Sequence, residues 1–250
     1  MSLQGLALCS RFSYPPNSLS LCGPEKKRDL NYYSLSGKTD KGTSEILSQF
    51  STLYPYLQLI AQNNNIKDPF DTRVVEAYWL GNEFLSQIPM GNFIKHLRDS
   101  IQLSKKIKRA ELELIFGKVS AGALPHHAFH VLNIYKRTGN IDAPYALETM
   151  DACLINWGQV KKVIPGAVII ETKPLRSVNH KLGFGPSRQR TVMAQGEKDT
   201  LFAKMKEGDW ISYHWGYFCQ KLSFRQLQNL IHHTNLSLSY ANSYLLDFHL

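Results

Sequence analysis

Cys153-Leu154-Ile155-Asn156-Trp157-Gly158-Gln159-Val160 opens a stretch that closes with Gly208-Asp209-Trp210-Ile211-Ser212-Tyr213-His214-Trp215-Gly216. Between them lie short β-branched runs broken by proline and glycine. Val160 to Ile164 and Ala167 to Thr172 are joined by Pro165-Gly166, which reads as a hairpin. Lys173-Pro174 ends the second strand, because proline donates nothing to a ladder. Arg190-Thr191-Val192-Met193 reads as a further strand. Leu182-Gly183-Phe184-Gly185-Pro186 reads as a glycine-rich turn or bulged edge; it lacks the strand–loop–helix setting of a phosphate loop. Ile211, Tyr213 and Trp215 alternate with Ser212 and His214, so the two sets should face opposite sides of one strand. The expectation is a small closed sheet carrying one thiol and one imidazole.

Helices are expected on both sides of this stretch. Ser223 and Gln226 form a capping box, followed by Leu227, Leu230, Ile231, Leu238, Ala241 and Leu245 at helical spacing. Upstream, Ile46, Leu47, Phe50, Leu53, Tyr54, Leu57, Ile60 and Ala61 keep the same spacing. Pro55 should kink or divide that helix, and Asn63-Asn64-Asn65 should end it. Asp68-Pro69 reads as a restart, with Asp68 as the N-cap and Pro69 at the first position. Val74, Val75, Tyr78 and Trp79 form its apolar face. Phe93, Ile94, Leu97 and Ile101, then Leu112, Leu114 and Ile115, mark further helix. Asp142 reads as the cap of a short helix over Pro144 to Met150. Residues 1–21 read as an irregular or extended arm, because Tyr14-Pro15-Pro16-Asn17 interrupts helix. The expected fold is α+β: residues 1–150 mostly helical with an N-terminal extended arm, and residues 151–250 a small OB-like β-barrel with a terminal helix.

The chain has 250 residues, 43% of them hydrophobic, enough to bury a core. Its formal charge is +9, clustered at Lys26-Lys27-Arg28, at Lys105-Lys106 with Lys108-Arg109, and at Arg188 with Arg190. A basic surface attracts acidic partners or is simply solvated. No recognition helix, zinc finger or aromatic-basic RNA motif stands in the sequence, which argues against nucleic acid as the partner. No apolar run reaches membrane-spanning length, and the N-terminus lacks the pattern of a secretory signal. Four scattered cysteines do not resemble a disulfide scaffold, so a cytoplasmic protein with reduced thiols is expected.

Two further groups could carry chemistry. Cys22-Gly23-Pro24 reads as a turn with Pro24 at the first position of a short helix, which would set the Cys22 thiol near a helix N-terminus. Pro125-His126-His127-Ala128-Phe129-His130 can start a helix running to about Lys136, with Gly139 beyond its end. His126 and His130 would then share one face at metal-ligand spacing, although His127 stands where a zinc protease has glutamate. Cys22 as nucleophile with His126, His127 or His130 as base would suit a cysteine-dependent hydrolase or transferase.

The C-terminal stretch resembles the hydrogenase-maturation chaperones of the HypC/HupF type. The likeness rests on Cys153-Leu154-Ile155-Asn156-Trp157-Gly158-Gln159-Val160, on Gly208-Asp209-Trp210-Ile211-Ser212-Tyr213-His214-Trp215-Gly216, and on the helix that follows. It implies a small barrel in which Cys153 and His214 hold iron. Thiolate and neutral imidazole form a compatible donor set. The implied partner is a maturation factor or a metalloenzyme precursor. The whole chain also resembles an uncharacterised bacterial and archaeal domain-of-unknown-function family. That likeness lies in Arg11-Phe12-Ser13-Tyr14-Pro15-Pro16-Asn17, Cys22-Gly23-Pro24, Val74-Val75-Glu76-Ala77-Tyr78-Trp79-Leu80-Gly81-Asn82 and Pro125-His126-His127-Ala128-Phe129-His130. Three functions are therefore in play: an accessory protein for metallocentre assembly, a cysteine-dependent enzyme, and a non-catalytic binding module with a basic surface.

Overall fold

A computed structural model describes residues 2–134 and 146–243. The chain begins as a helix, α1 (Leu3–Ser18), in place of the extended arm suggested by its two prolines. Ser2 caps it by accepting from the Gly5 N–H. Pro15 and Pro16 fall near its end, so they remove only the hydrogen bonds that would have reached back to the carbonyls of Arg11 and Phe12. Leu6, Cys9 and Phe12 form its buried face. Gly5 lets α1 approach the segment before α5: a Cβ there would lie 1.7 Å from the Phe70 carbonyl oxygen.

α2 (Lys27–Ser36) begins three residues after Pro24, not at it. A tight turn from Pro24 O to Lys26 N (2.8 Å) intervenes, so Cys22 does not stand immediately before the first turn of that helix. The long apolar stripe divides into α3 (Lys41–Leu47) and α4 (Leu53–Asn63). The break precedes Pro55, which sits in the first turn of α4 where no intrahelical donor is needed. Asp71, not Asp68, caps α5 (Thr72–Trp79), accepting from Arg73 N. Asp68 instead holds the turn before it, accepting from Phe70 N and from Ser2 N. α6 (Met90–Lys95) runs into one wider turn over His96–Ser100. α7 (Arg109–Ser120), α8 (His127–Asn133) and α9 (Leu147–Cys153) complete the helical part. The expected helix end near Lys136 and Gly139, the cap at Asp142, Pro144 and Leu245 all lie outside the described residues.

The strands among the described residues are β1 (Asn156–Ile164), β2 (Ala167–Thr172), β3 (Leu175–Val178), β4 (Lys181–Phe184), β5 (Arg188–Met193), β6 (Trp210–His214) and β7 (Tyr217–Lys221). The β1–β2 hairpin turns at Pro165-Gly166 as expected, with Ile164 opposite Ala167. Pairing runs β1-β2-β5-β7-β6 and returns to β1, so the sheet closes on itself. Its seam is thin: β5 and β7 meet in parallel at the single pair Met193 and Tyr217. Val160, Val168, Ile170, Val192, Ile211, Tyr213 and Phe218 fill the interior.

Two expectations here need correction. Leu182-Gly183-Phe184 is strand, not turn; it pairs with β3 in a separate two-stranded sheet. The turn of that hairpin is Asn179-His180, both at positive φ, as a two-residue hairpin loop demands. Trp215 does not continue the alternation of β6. With Gly216 it forms the positive-φ loop to β7, a strand whose short run gave no clear signal.

α10 (Phe224–Ser243) starts at the expected capping box, Gln226 N donating to Ser223 Oγ and Ser223 N to Gln226 Oε1. It packs on α8 and on β4, where Asn242 bonds both backbone groups of Leu182. Helices and sheet share packing: one apolar cluster runs from Leu6 on α1 to Cys219, Leu222 and Leu230. The fold is mixed α+β. None of the described helices is long and apolar enough to cross a membrane.

Candidate metal centre

Ile211 and Tyr213 of β6 face the sheet's interior, and His214 on its other face meets the helical part at Phe12 and Trp79. His214 ends β6, Cys153 ends α9 and His127 begins α8. One ligand atom from each of His127, Cys153 and His214 lies within 4.8 Å of the other two. Metal bond lengths of about 2.0–2.3 Å would draw such donors closer. A backbone bond from Trp215 N to Ala152 O (2.9 Å) ties the neighbours of Cys153 and His214 together. Asp151 anchors α9 to the sheet by accepting from Leu175 N (2.8 Å) and from the Arg190 guanidinium (2.7 Å).

The hydrogen bonds assign the tautomers, because a carbonyl oxygen can only accept. His214 Nδ1 lies 2.8 Å from the Phe12 carbonyl, so Nδ1 carries the proton. Its Nε2 is then a bare lone pair, buried and with no hydrogen-bond partner among the described residues. His127 Nε2 donates to the Cys153 carbonyl at 2.8 Å. Its Nδ1 lone pair is taken by the Tyr78 hydroxyl at 3.2 Å. Thus His214 offers the readier nitrogen, and His127 yields its own only if the Tyr78 bond is given up.

Burial keeps both rings neutral. His214 is pushed down to about 4, burial outweighing the carbonyls of Phe12 and Cys153 that favour the charged ring. His127 is held well below the ordinary value by burial and by His214. The same cause lowers His126 strongly, His130 and His233 to about 4, and His96 to about 3. A neutral imidazole is the form that binds metal. These rings also stabilise the fold in a defined window. Their folded values lie below the unfolded value of about 6.5, so the contribution is complete above that pH and is lost as pH falls toward 4. The loss is about 1.4 kcal/mol per ring per unit. Urea titrations should therefore give a nearly constant stability between about pH 7 and 8 and a steep decline between about pH 6 and 4.5. A flat profile down to pH 4.5 would contradict the buried neutral state of these rings.

A cavity of about 90 Å³ opens beside the donors. Cys22, Tyr78, His127, His130, Cys153 and His214 line it, and Trp79 packs against both site rings, 4.6 Å from His127 and 5.8 Å from His214 between centroids. The cavity has room for a metal ion with a few small ligands. Cys153 and Cys22 are both half-buried. None of the four cysteines forms a disulfide, and burial raises the Cys9 thiol to about 12 and Cys219 further, which leaves those two as packing residues.

The structure thus brings together Cys153 and His214, which the sequence reading paired, and adds His127, which it held only as a base. It separates His126 from His130. His126 is the N-cap of α8, accepting from Ala128 N, and its ring stacks on His233 at 5.3 Å. His130 turns the other way, to the Tyr56 hydroxyl at 3.1 Å. They do not share a helix face because α8 starts at His127, two residues after Pro125, which leaves His126 as the extended N-cap. Cys22 reaches the cavity wall through Asn17, whose side chain donates to the carbonyls of Cys22 and Pro24.

A helical layer docked on a closed five-stranded sheet, with a thiol and two neutral imidazoles at the joint, defines a candidate metal-holding protein. The chain belongs to the Family of unknown function (DUF6390), which it matches over residues 1–247. No curated protein and no solved structure matches it.

Proposed function

We propose that this chain is an accessory protein for metallocentre assembly, holding iron between Cys153 Sγ and His214 Nε2 with His127 as a third donor. The observation that carries the reading is the convergence of these three side chains within 4.8 Å, beside a cavity that leaves coordination positions open. Thiolate with imidazole suits iron, zinc or copper better than magnesium or calcium. The maturation-type role rests on the two motifs around Cys153 and His214 and on the closed sheet that carries them. In this reading the sheet is of the HypC type, and the partner is a maturation factor or a metalloenzyme precursor that receives the metal through the cavity mouth.

Anaerobic equilibrium dialysis of the full chain against Fe(II) tests the proposal. One ion per chain is expected, with release of a proton as the thiol binds. Absence of uptake at micromolar Fe(II) would remove it.

A thiol enzyme is the second reading, favoured by Cys22 sharing the cavity with His127 and His130. The two separate by substitution. Cys22→Ser should leave metal affinity within about twofold, because Cys22 is not among the converging donors. A tenfold loss in that variant would make Cys22 a ligand, and turnover of an acyl or amide substrate that vanishes with Cys22 would favour the enzyme.

A further inference from the structure

The two prolines that end α1 lie far from the donors in sequence, yet they bear on the site. Helical bonding would have the N–H of residue 16 donate to Phe12 O, and that of residue 15 to Arg11 O. Proline at both positions removes both donors. For Phe12 the loss is double, since the alternative donor three residues on is Pro15. A buried carbonyl without a donor is costly, so each must find one elsewhere. Both find it on the sheet side: Arg11 O accepts from Gln195 Nε2 at 2.8 Å, and Phe12 O accepts from His214 Nδ1 at 2.8 Å.

We propose that Pro16, assisted by Pro15, is a positioning residue for the candidate metal centre: it reserves the Phe12 carbonyl for His214 and so fixes which imidazole nitrogen is left bare for metal. With the proton held on Nδ1, Nε2 keeps its lone pair directed at the site. If the helix claimed the carbonyl, His214 would lose the bond that sets both its tautomer and its ring orientation. Partners of this kind, which orient a ligand through its second nitrogen, typically change metal affinity about 10–100-fold when removed. The inference rests on reading His214 as a ligand, but its tautomer can be read without any metal.

The test uses the ¹⁵N-labelled full chain. Long-range ¹H–¹⁵N spectra of His214 report which nitrogen carries the proton, and competition against a Zn(II) chelator reports affinity. Pro16→Ala is compatible with folding because alanine favours helix. In the wild type the proton should sit on Nδ1. In Pro16→Ala the new N–H competes for Phe12 O, so His214 should become a mixture of tautomers and Zn(II) affinity should fall about tenfold. Pro15→Ala leaves Pro16 in place and returns an N–H mainly to Arg11 O, so it should shift the His214 tautomer less than Pro16→Ala does. Should Pro16→Ala retain the wild-type tautomer, or the wild type carry its proton on Nε2, the proposal is overturned. A tautomer shift in a protein that takes up no Zn(II) would uphold the positioning and sink the metal reading alone.

Discussion

Cys153→Ser should lower affinity for Fe(II) or Co(II) by at least about 100-fold. The change replaces a soft sulfur with a hard, weakly acidic hydroxyl, and loss of a ligand should exceed the 10–100-fold typical of outer partners. The fold should barely notice, since Ser and Cys are near in volume and Cys153 is half-buried. His214→Ala should cost a similar factor, because Nε2 is the lone pair with no other use. His127→Ala should cost less: in the metal-free chain its Nδ1 already serves the Tyr78 hydroxyl, so recruiting it forfeits a hydrogen bond. The sulfur-to-metal charge-transfer band of the Co(II) form should vanish in Cys153→Ser and persist in His127→Ala. An unchanged band in Cys153→Ser would remove the thiolate from the site.

Asp199→Asn should destabilise the chain by about 3–5 kcal/mol, the usual penalty for stripping a buried charge of its partner. Arg11 and Asp199 form a bidentate pair, with side chains only 3% and 1% exposed. The remaining guanidinium bonds go to the carbonyls of Cys219, Ser34 and Phe218. All five N–H donors are thereby used, a pattern lysine with three cannot reproduce. Gln195 extends the network by bonding Arg11 O, Phe218 O and the Ser34 hydroxyl. This cluster fastens α1 and α2 to β7 and the loop before β6, and it sits one residue from the carbonyl that orients His214. Metal affinity in Asp199→Asn should therefore fall together with stability. A loss below about 1 kcal/mol in urea unfolding would mean that the pair behaves like an exposed one.

The elements legible in the sequence were those with a strong local signal. The Pro165-Gly166 hairpin, the Ser223 capping box and the alternation over Ile211 to His214 each have one dominant local cause. Cys153 and His214 were paired on motif resemblance, and the fold brings them together because β6 turns its polar face to the helices. What local reasoning missed depended on partners distant in sequence. Pro15-Pro16 reads as a helix breaker, yet Gln195 and His214 satisfy the carbonyls it strands, so the helix survives. His127 read only as a candidate base for Cys22, beside the His126 and His130 pair, with no claim on Cys153. Only the packing of α8 against α9 and Trp79 makes it a neighbour of that thiol. The cap at Asp68 and the helix start at Pro125 were misplaced by three and two residues, because Asp and Pro stabilise turns as readily as helix starts.

X-ray absorption of the iron-loaded full chain at the metal edge tests the central claim most directly. One sulfur scatterer near 2.3 Å together with imidazole nitrogen at about 2.0–2.1 Å, the sulfur lost in Cys153→Ser, is the expected result. A first shell of oxygen and nitrogen alone, identical in the wild type and Cys153→Ser, would contradict it.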